Sequence, residues 1–212
     1  MRENDTYEFN GVNELEPIEW DDIWRQNAPD VEAPRILLIG DSISRSYRKK
    51  LNEIFNNEIY ADQLSTSKSI ADSSYLDLLD YMKLQCDRYD VIVFNNGLHG
   101  FYLETAAYEK CYRKAVLHLK EIFPKAKIII ALSTPCRNRN NLNEFLPVND
   151  SVIERNKAAC KIAKENKLEF IDLYSLLCNR PELFIEDGAH LKESGQALLA
   201  EECAKAVRKI LS

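Results

Sequence analysis

Imidazole is scarce in this chain. Three histidines, His99, His118 and His190, are all that its 212 residues offer for proton transfer near neutral pH. Cysteine pairs are missing too: the six cysteines stand singly, with no Cys-x-x-Cys spacing. That excludes the common zinc and dithiol motifs and leaves reduced thiols, most of them small core residues. No run of five or more basic residues occurs and the net charge is −6, which argues against a surface built to neutralise nucleic-acid phosphates. Apolar runs stay well short of the roughly 18 residues of a membrane span. The opening residues, MRENDTYEFNGVNELEPIEW, carry charges where a secretory signal needs an apolar core. A cytoplasmic protein without membrane or nucleic-acid partners is the expectation.

What is present is enough apolar residue, 45%, for one continuous core in a single α/β-sized domain. Five short apolar runs read as strands: Ile36 to Ile39, Glu58 to Ala61, Val91 to Phe94, Ile128 to Leu132 and Leu168 to Ile171. Between them lie segments of helical period, clearest from Thr105 to Phe123, which Pro124 terminates, and from Ser194 to Leu211. Strands alternating with helices predict a five-stranded parallel sheet covered on both faces, a three-layer α/β/α sandwich. Ligands of such sheets sit beyond the carboxyl ends of the strands, where strand order reverses. Residues 1–34 hold Trp20, Trp24 and three prolines without clear period, and read as an arm packed on a domain spanning 35–212. The polar stretch Cys136 to Asp150 reads as a long loop.

The stretch RILLIGDSISRSY, Arg35 to Tyr47, runs from a buried strand into Gly40-Asp41-Ser42. Asp41 or Ser42 in that turn can cap the following helix, or Ser42 can be a nucleophile. A phosphoacceptor role for Asp41 would need further acidic residues to hold a metal, which one aspartate does not supply. A nucleophilic serine needs a base and a carboxylate to orient that base. His118 lies inside a helical segment, and His99 follows a strand in FNNGLHG. His190 sits three residues after Asp187 in EDGAHLKESG, just before the last helix. That spacing lets the carboxylate reach the imidazole Nδ1 and leaves Nε2 for the serine hydroxyl.

LLIGDSIS near the start, together with DGAHLKESGQALLAEECAKAV near the end, resembles the SGNH/GDSL hydrolase superfamily over about residues 35 to 211. The resemblance implies a flavodoxin-like α/β/α sandwich, with Ser42 as nucleophile, His190 as general base and acid, and Asp187 as its orienting partner. It implies an oxyanion hole drawn from the second and third motif blocks, both altered here. In the second, Ala71 N–H stands at the usual glycine, with Ser69 as the alternative. In the third, Asn95-Asn96-Gly97 replaces Gly-x-Asn-Asp, and Asn96 is favoured over Asn95. The Ser42 amide at the helix start adds a further donor. His99 and Arg137 are candidate substrate contacts, as is Arg139. No metal or organic cofactor is implied. Hydrolysis of small acyl esters, acetyl esters of carbohydrates among them, is the expected activity; the rival reading is a carbohydrate- or ligand-binding protein with a decayed site on the same fold.

Overall fold

In β2 (Arg35–Gly40) four apolar residues follow one another because helices cover both faces of the strand, and all six residues are buried. A computed structural model describes residues 15, 16 and 18–212. Its strands are β1 (Asp21–Trp24), β2, β3 (Tyr60–Thr66), β4 (Val91–Phe94), β5 (Lys127–Ala131), β6 (Arg137–Asn138), β7 (Asn141–Phe145) and β8 (Glu169–Ile171). The helices are α1 (Ser42–Phe55), α2 (Tyr75–Gln85), α3 (Thr105–Ile122), α4 (Asn149–Glu165), α5 (Leu173–Leu177) and α6 (Glu193–Leu211), with a 3₁₀ turn at Pro181–Leu183. No described helix is long and apolar enough to cross a membrane.

The sheet runs β1-β3-β2-β4-β5-β8, with β2, β3, β4, β5 and β8 parallel and β1 antiparallel on β3. Side chains alternate between its faces, as the period of two demands. Leu37, Ile39, Ile92 and Phe94 pack with Leu79 of α2, Tyr112 of α3 and Ile162 of α4. Ile36, Leu38, Val91 and Val93 pack on the opposite side with Leu51 of α1 and Leu199 of α6. The three layers and five parallel strands agree with the sequence pattern. Strand order reverses at β2, between β3 and β4, so the switch point where ligands of such sheets bind lies beyond the carboxyl ends of β2 and β4.

Two expectations need correction. The sheet has a sixth strand, because residues 21–24 of the arm pair with β3 from Asp21↔Thr66 to Trp24↔Gln63. The stretch read as a polar loop folds into the β6–β7 hairpin. Neither carries a run of apolar residues. In addition, β3 extends to Thr66 rather than stopping near Ala61, although Asp62, Gln63, Ser65 and Thr66 are polar and buried. Each has a partner that makes burial tolerable: Arg35 donates to Asp62 (2.7 Å), Arg48 to Gln63 (3.1 Å) and Thr66 Oγ1 to Asp21 (2.6 Å), while Ser65 and Ser44 share a 3.1 Å bond. All six cysteines are free, and burial pushes the Cys136 thiol up to about 11 and that of Cys203 up to about 12.

Candidate active site

At the switch point β2 passes into α1 through Asp41, which is the helix cap: its Oδ1 accepts from Ile43 N–H at 2.9 Å. Ser44 Oγ donates to Asp41 O at 2.8 Å and tightens the same turn. With the cap supplied by its neighbour, Ser42 takes the first helical position and its hydroxyl points elsewhere. That hydroxyl lies 2.7 Å from His190 Nε2, across 148 residues of sequence. His190 Nδ1 lies 2.6 Å from Asp187 Oδ2. With an ionised Asp187 the Nδ1 atom carries the proton, so Nε2 accepts from Ser42.

The loop holding this pair is locally determined. Asp187 Oδ1 accepts from the amides of Ala189 and His190, both at 2.9 Å, closing one turn that aims the ring. Gly188 has φ +75°, and a Cβ there would come within 2.2 Å of Arg137 O, so only glycine fits. Burial pushes the Asp187 carboxyl up, but the two amides and the imidazole outweigh it and hold the group below its ordinary value. The His190 and Asp187 side chains are 43% and 45% exposed, so the dyad faces open solvent rather than a closed pocket.

The two candidate asparagines differ in what their amides already do. Asn95 Nδ2 donates to Ala131 O (2.7 Å) and Ser133 Oγ (3.0 Å), using both hydrogens to tie β4 to β5. Among the described residues Asn96 Nδ2 has one acceptor at hydrogen-bond distance, Lys68 O at 3.0 Å, and the Tyr75 hydroxyl lies near the same amide. Ala71 N–H, the expected second-block donor, is turned to Ser69 Oγ at 3.3 Å, and Ser69 is buried against Gly100.

His99 sits beside this block with its Nδ1 3.4 Å from Glu16 Oε1 in the arm. Arg137, a candidate substrate contact by sequence, has its side chain turned into the protein. It is 2% exposed, and its guanidinium donates to Leu142 O (2.8 Å), Leu177 O (3.2 Å) and Cys178 O between the rings of Phe145 and Phe184. A cation with three carbonyl acceptors and two aromatic faces braces the hairpin, and its backbone N–H holds Gly188 O at 2.8 Å. Arg139 is exposed on the hairpin. His118 pairs with Asp80 on α2, and Trp20 and Trp24 stack under Arg45 and Arg48 of α1. Among the described residues no cluster of three His, Cys, Asp or Glu could hold a metal ion.

Sequence reading missed two residues of α4. Arg155, 1% exposed, donates to the carbonyls of Gly97 (3.1 Å), His99 (2.7 Å) and Gly100 (2.5 Å). Asn156 brackets Ser133 through its N–H (2.8 Å) and its carbonyl (2.9 Å). The signal was there: both fall on the stripe of Val152, Ala159 and Ile162 that faces the core, where a charge needs partners.

No protein-family model and no curated protein matches the chain. Solved structures do share its fold. An acetyl xylan esterase is 19% identical, with 82% of this chain and 99% of that one covered at a TM-score of 0.66. A member of the lipolytic G-D-S-L family from Veillonella parvula is 18% identical, with 84% and 100% covered at 0.68. A GDSL-like lipase from Bacteroides thetaiotaomicron is 15% identical, with 87% and 92% covered at 0.66. The chain has the fold of the GDSL-type hydrolases.

Proposed function

We propose that the protein is a serine esterase of the SGNH/GDSL superfamily that removes small acyl groups from larger alcohols. One observation carries this reading: the unbroken line from Ser42 Oγ through the His190 ring to Asp187, with gaps of 2.7 and 2.6 Å. Ser42 Oγ attacks the ester carbonyl as its proton passes to His190 Nε2, and Asp187 stabilises the imidazolium. The oxyanion is held by the second Nδ2 hydrogen of Asn96 and by the Ser42 amide at the start of α1. Collapse expels the alcohol with the proton from His190. A water then attacks the acyl-enzyme and gives its proton to His190; collapse breaks the bond to Ser42 Oγ, which takes that proton back as the acid leaves.

The exposure of the His190 and Asp187 side chains supports a bulky alcohol that stays in solvent beside the dyad. Acetyl esters of carbohydrates are the substrate class we infer, in keeping with the acetyl xylan esterase of the same fold. The test is hydrolysis of p-nitrophenyl acetate and of acetylated xylan, with fluorophosphonate labelling. Turnover and stoichiometric label on Ser42, both lost in Ser42→Ala, are the expected outcome. Equal rates for the two proteins, or an unlabelled Ser42 with sugar binding retained, would replace this reading by that of a binding protein.

A further inference from the structure

We propose that Arg155 is the positioning residue of the oxyanion loop: it fixes residues 96–101 from beneath and so sets where the Asn96 amide points, an inference that rests on the esterase reading above. Gly97, Leu98, His99 and Gly100 form no regular structure, so the loop is held by single contacts, among them Leu98 packed on the core and Leu103 N–H donating to Gly100 O at 3.0 Å. A single guanidinium takes three of its carbonyls, those of Gly97, His99 and Gly100. The ring of Phe101 lies 4.7 Å from the Arg155 Cζ and that of Tyr108 also 4.7 Å, so the cation is sandwiched between aromatic faces. Tyr108 OH in turn donates to Asn96 O, which links the clamp to the residue whose side chain carries the candidate donor.

Among the described residues Arg155 has no carboxylate within ion-pair distance. A buried cation satisfied only by carbonyl dipoles and ring faces demands that those groups stay where they are, since moving the loop would leave the charge without acceptors. Coupling therefore runs in both directions: the loop solvates the arginine and the arginine sets the loop. The fork matters as much as the charge. A lysine places one ammonium where the guanidinium now serves three acceptors through two nitrogens.

The test combines kinetics with amide hydrogen exchange. Arg155→Met is expected to lower kcat on p-nitrophenyl acetate by about 10²-fold with KM within about threefold, since an oxyanion donor acts in the transition state. Arg155→Lys is expected between the two. In the double variant with Asn96→Ala the Arg155→Met loss should nearly vanish, because its route to the reaction has been removed. Multiplying losses would mean that Arg155 acts through general stability and would overturn the proposal. Exchange of the amides of 97–101 should rise at least tenfold in Arg155→Met while those of 188–191 stay unchanged; unchanged loop exchange also overturns it. If Arg155→Met does not fold, Arg155→Lys, which keeps the buried cation, carries the same cycle. A wild-type protein that neither turns over ester nor labels at Ser42 removes the esterase reading instead. Loop exchange alone then judges whether Arg155 positions residues 97–101.

Discussion

Asn95 and Asn96 are chemically identical neighbours, and only their surroundings separate them. Asn95 has both amide hydrogens engaged by Ala131 O and Ser133 Oγ, so it is a strut between strands. Asn96 gives one hydrogen to Lys68 O, and among the described residues its other faces no acceptor but the Tyr75 hydroxyl. Replacing Asn96 with Ala is therefore expected to lower kcat by about 10² to 10³ with little change in melting temperature, the range for loss of one oxyanion donor. Asn95→Ala should mainly lower stability; steady-state kinetics and thermal unfolding of the two variants check this, and the reverse order would assign the donor to Asn95. Asp187 gives a pH signature. Its carboxyl is held below the ordinary value in the fold, so between the folded and unfolded values the unfolded chain binds more protons. The stabilisation is thus complete above about pH 4 and is lost as pH falls through the folded value. With the side chain 45% exposed, it should amount to no more than about 1 kcal/mol. Urea midpoints of wild type and Asp187→Ala should differ by a constant amount from pH 7 down to about pH 5 and converge towards pH 2. A gap that widens in acid would contradict the assignment.

At the scale of elements, the hairpin β6–β7 and the loop 185–190 form one unit, because Arg137 N–H holds Gly188 O and the backbones pass so close that a Cβ at Gly188 would run into Arg137 O. Gly188→Ala must either abandon φ +75° or displace the hairpin, and both move His190. Its expected cost is about 2 kcal/mol of stability and more than tenfold in kcat, read by thermal unfolding and by p-nitrophenyl acetate turnover. Ordinary stability together with ordinary turnover would show that the two segments move independently. This unit also marks the limit of what the sequence discloses. The five parallel strands and helices α3 and α6 were legible because runs of Ile and Val and a 3.6-residue period are local properties. Ser42, Asp187 and His190 were legible because the Asp187–His190 spacing is short and because LLIGDSIS and DGAHLKESG together resemble the SGNH/GDSL hydrolases. The hairpin was not, since RNRNNLNEF has no period and is held by an arginine whose acceptors, Leu177 and Cys178, are some forty residues further on. Arg137 therefore read as a candidate substrate contact in a loop, whereas its side chain is buried under the hairpin. Arg155 lay hidden for the same reason: its acceptors belong to a loop more than fifty residues earlier.

Over the whole molecule, the open question is whether residues 18–34 belong to the cooperative fold. Their attachment is mostly polar. Arg35 donates to the carbonyls of Gln26 (2.8 Å), Asn27 (3.1 Å) and Asp30 (3.0 Å) while pairing with Asp62 at 2.7 Å. Asp62 is fully buried, and it also accepts from Gln26 N–H (2.9 Å) and Tyr89 OH (3.1 Å) with Arg25 at 3.5 Å. One carboxylate therefore joins the arm, β2, β3 and the residue that leads into β4. Removing it leaves the Arg35 guanidinium buried without its counter-charge, and loss of one partner of such a pair costs about 3 to 5 kcal/mol. Both tryptophans of the chain, Trp20 and Trp24, lie in the arm, whereas the helices of the described residues lie outside it. Tryptophan fluorescence therefore reports the arm, and far-UV circular dichroism the domain. In urea the two transitions of the wild type should coincide, as they must if arm and sheet unfold together. In Asp62→Ala both should move to lower urea by the same amount. A fluorescence transition that precedes the dichroism, or that alone responds to Asp62→Ala, would show the arm to be a separately melting attachment rather than the sixth strand of one folded unit.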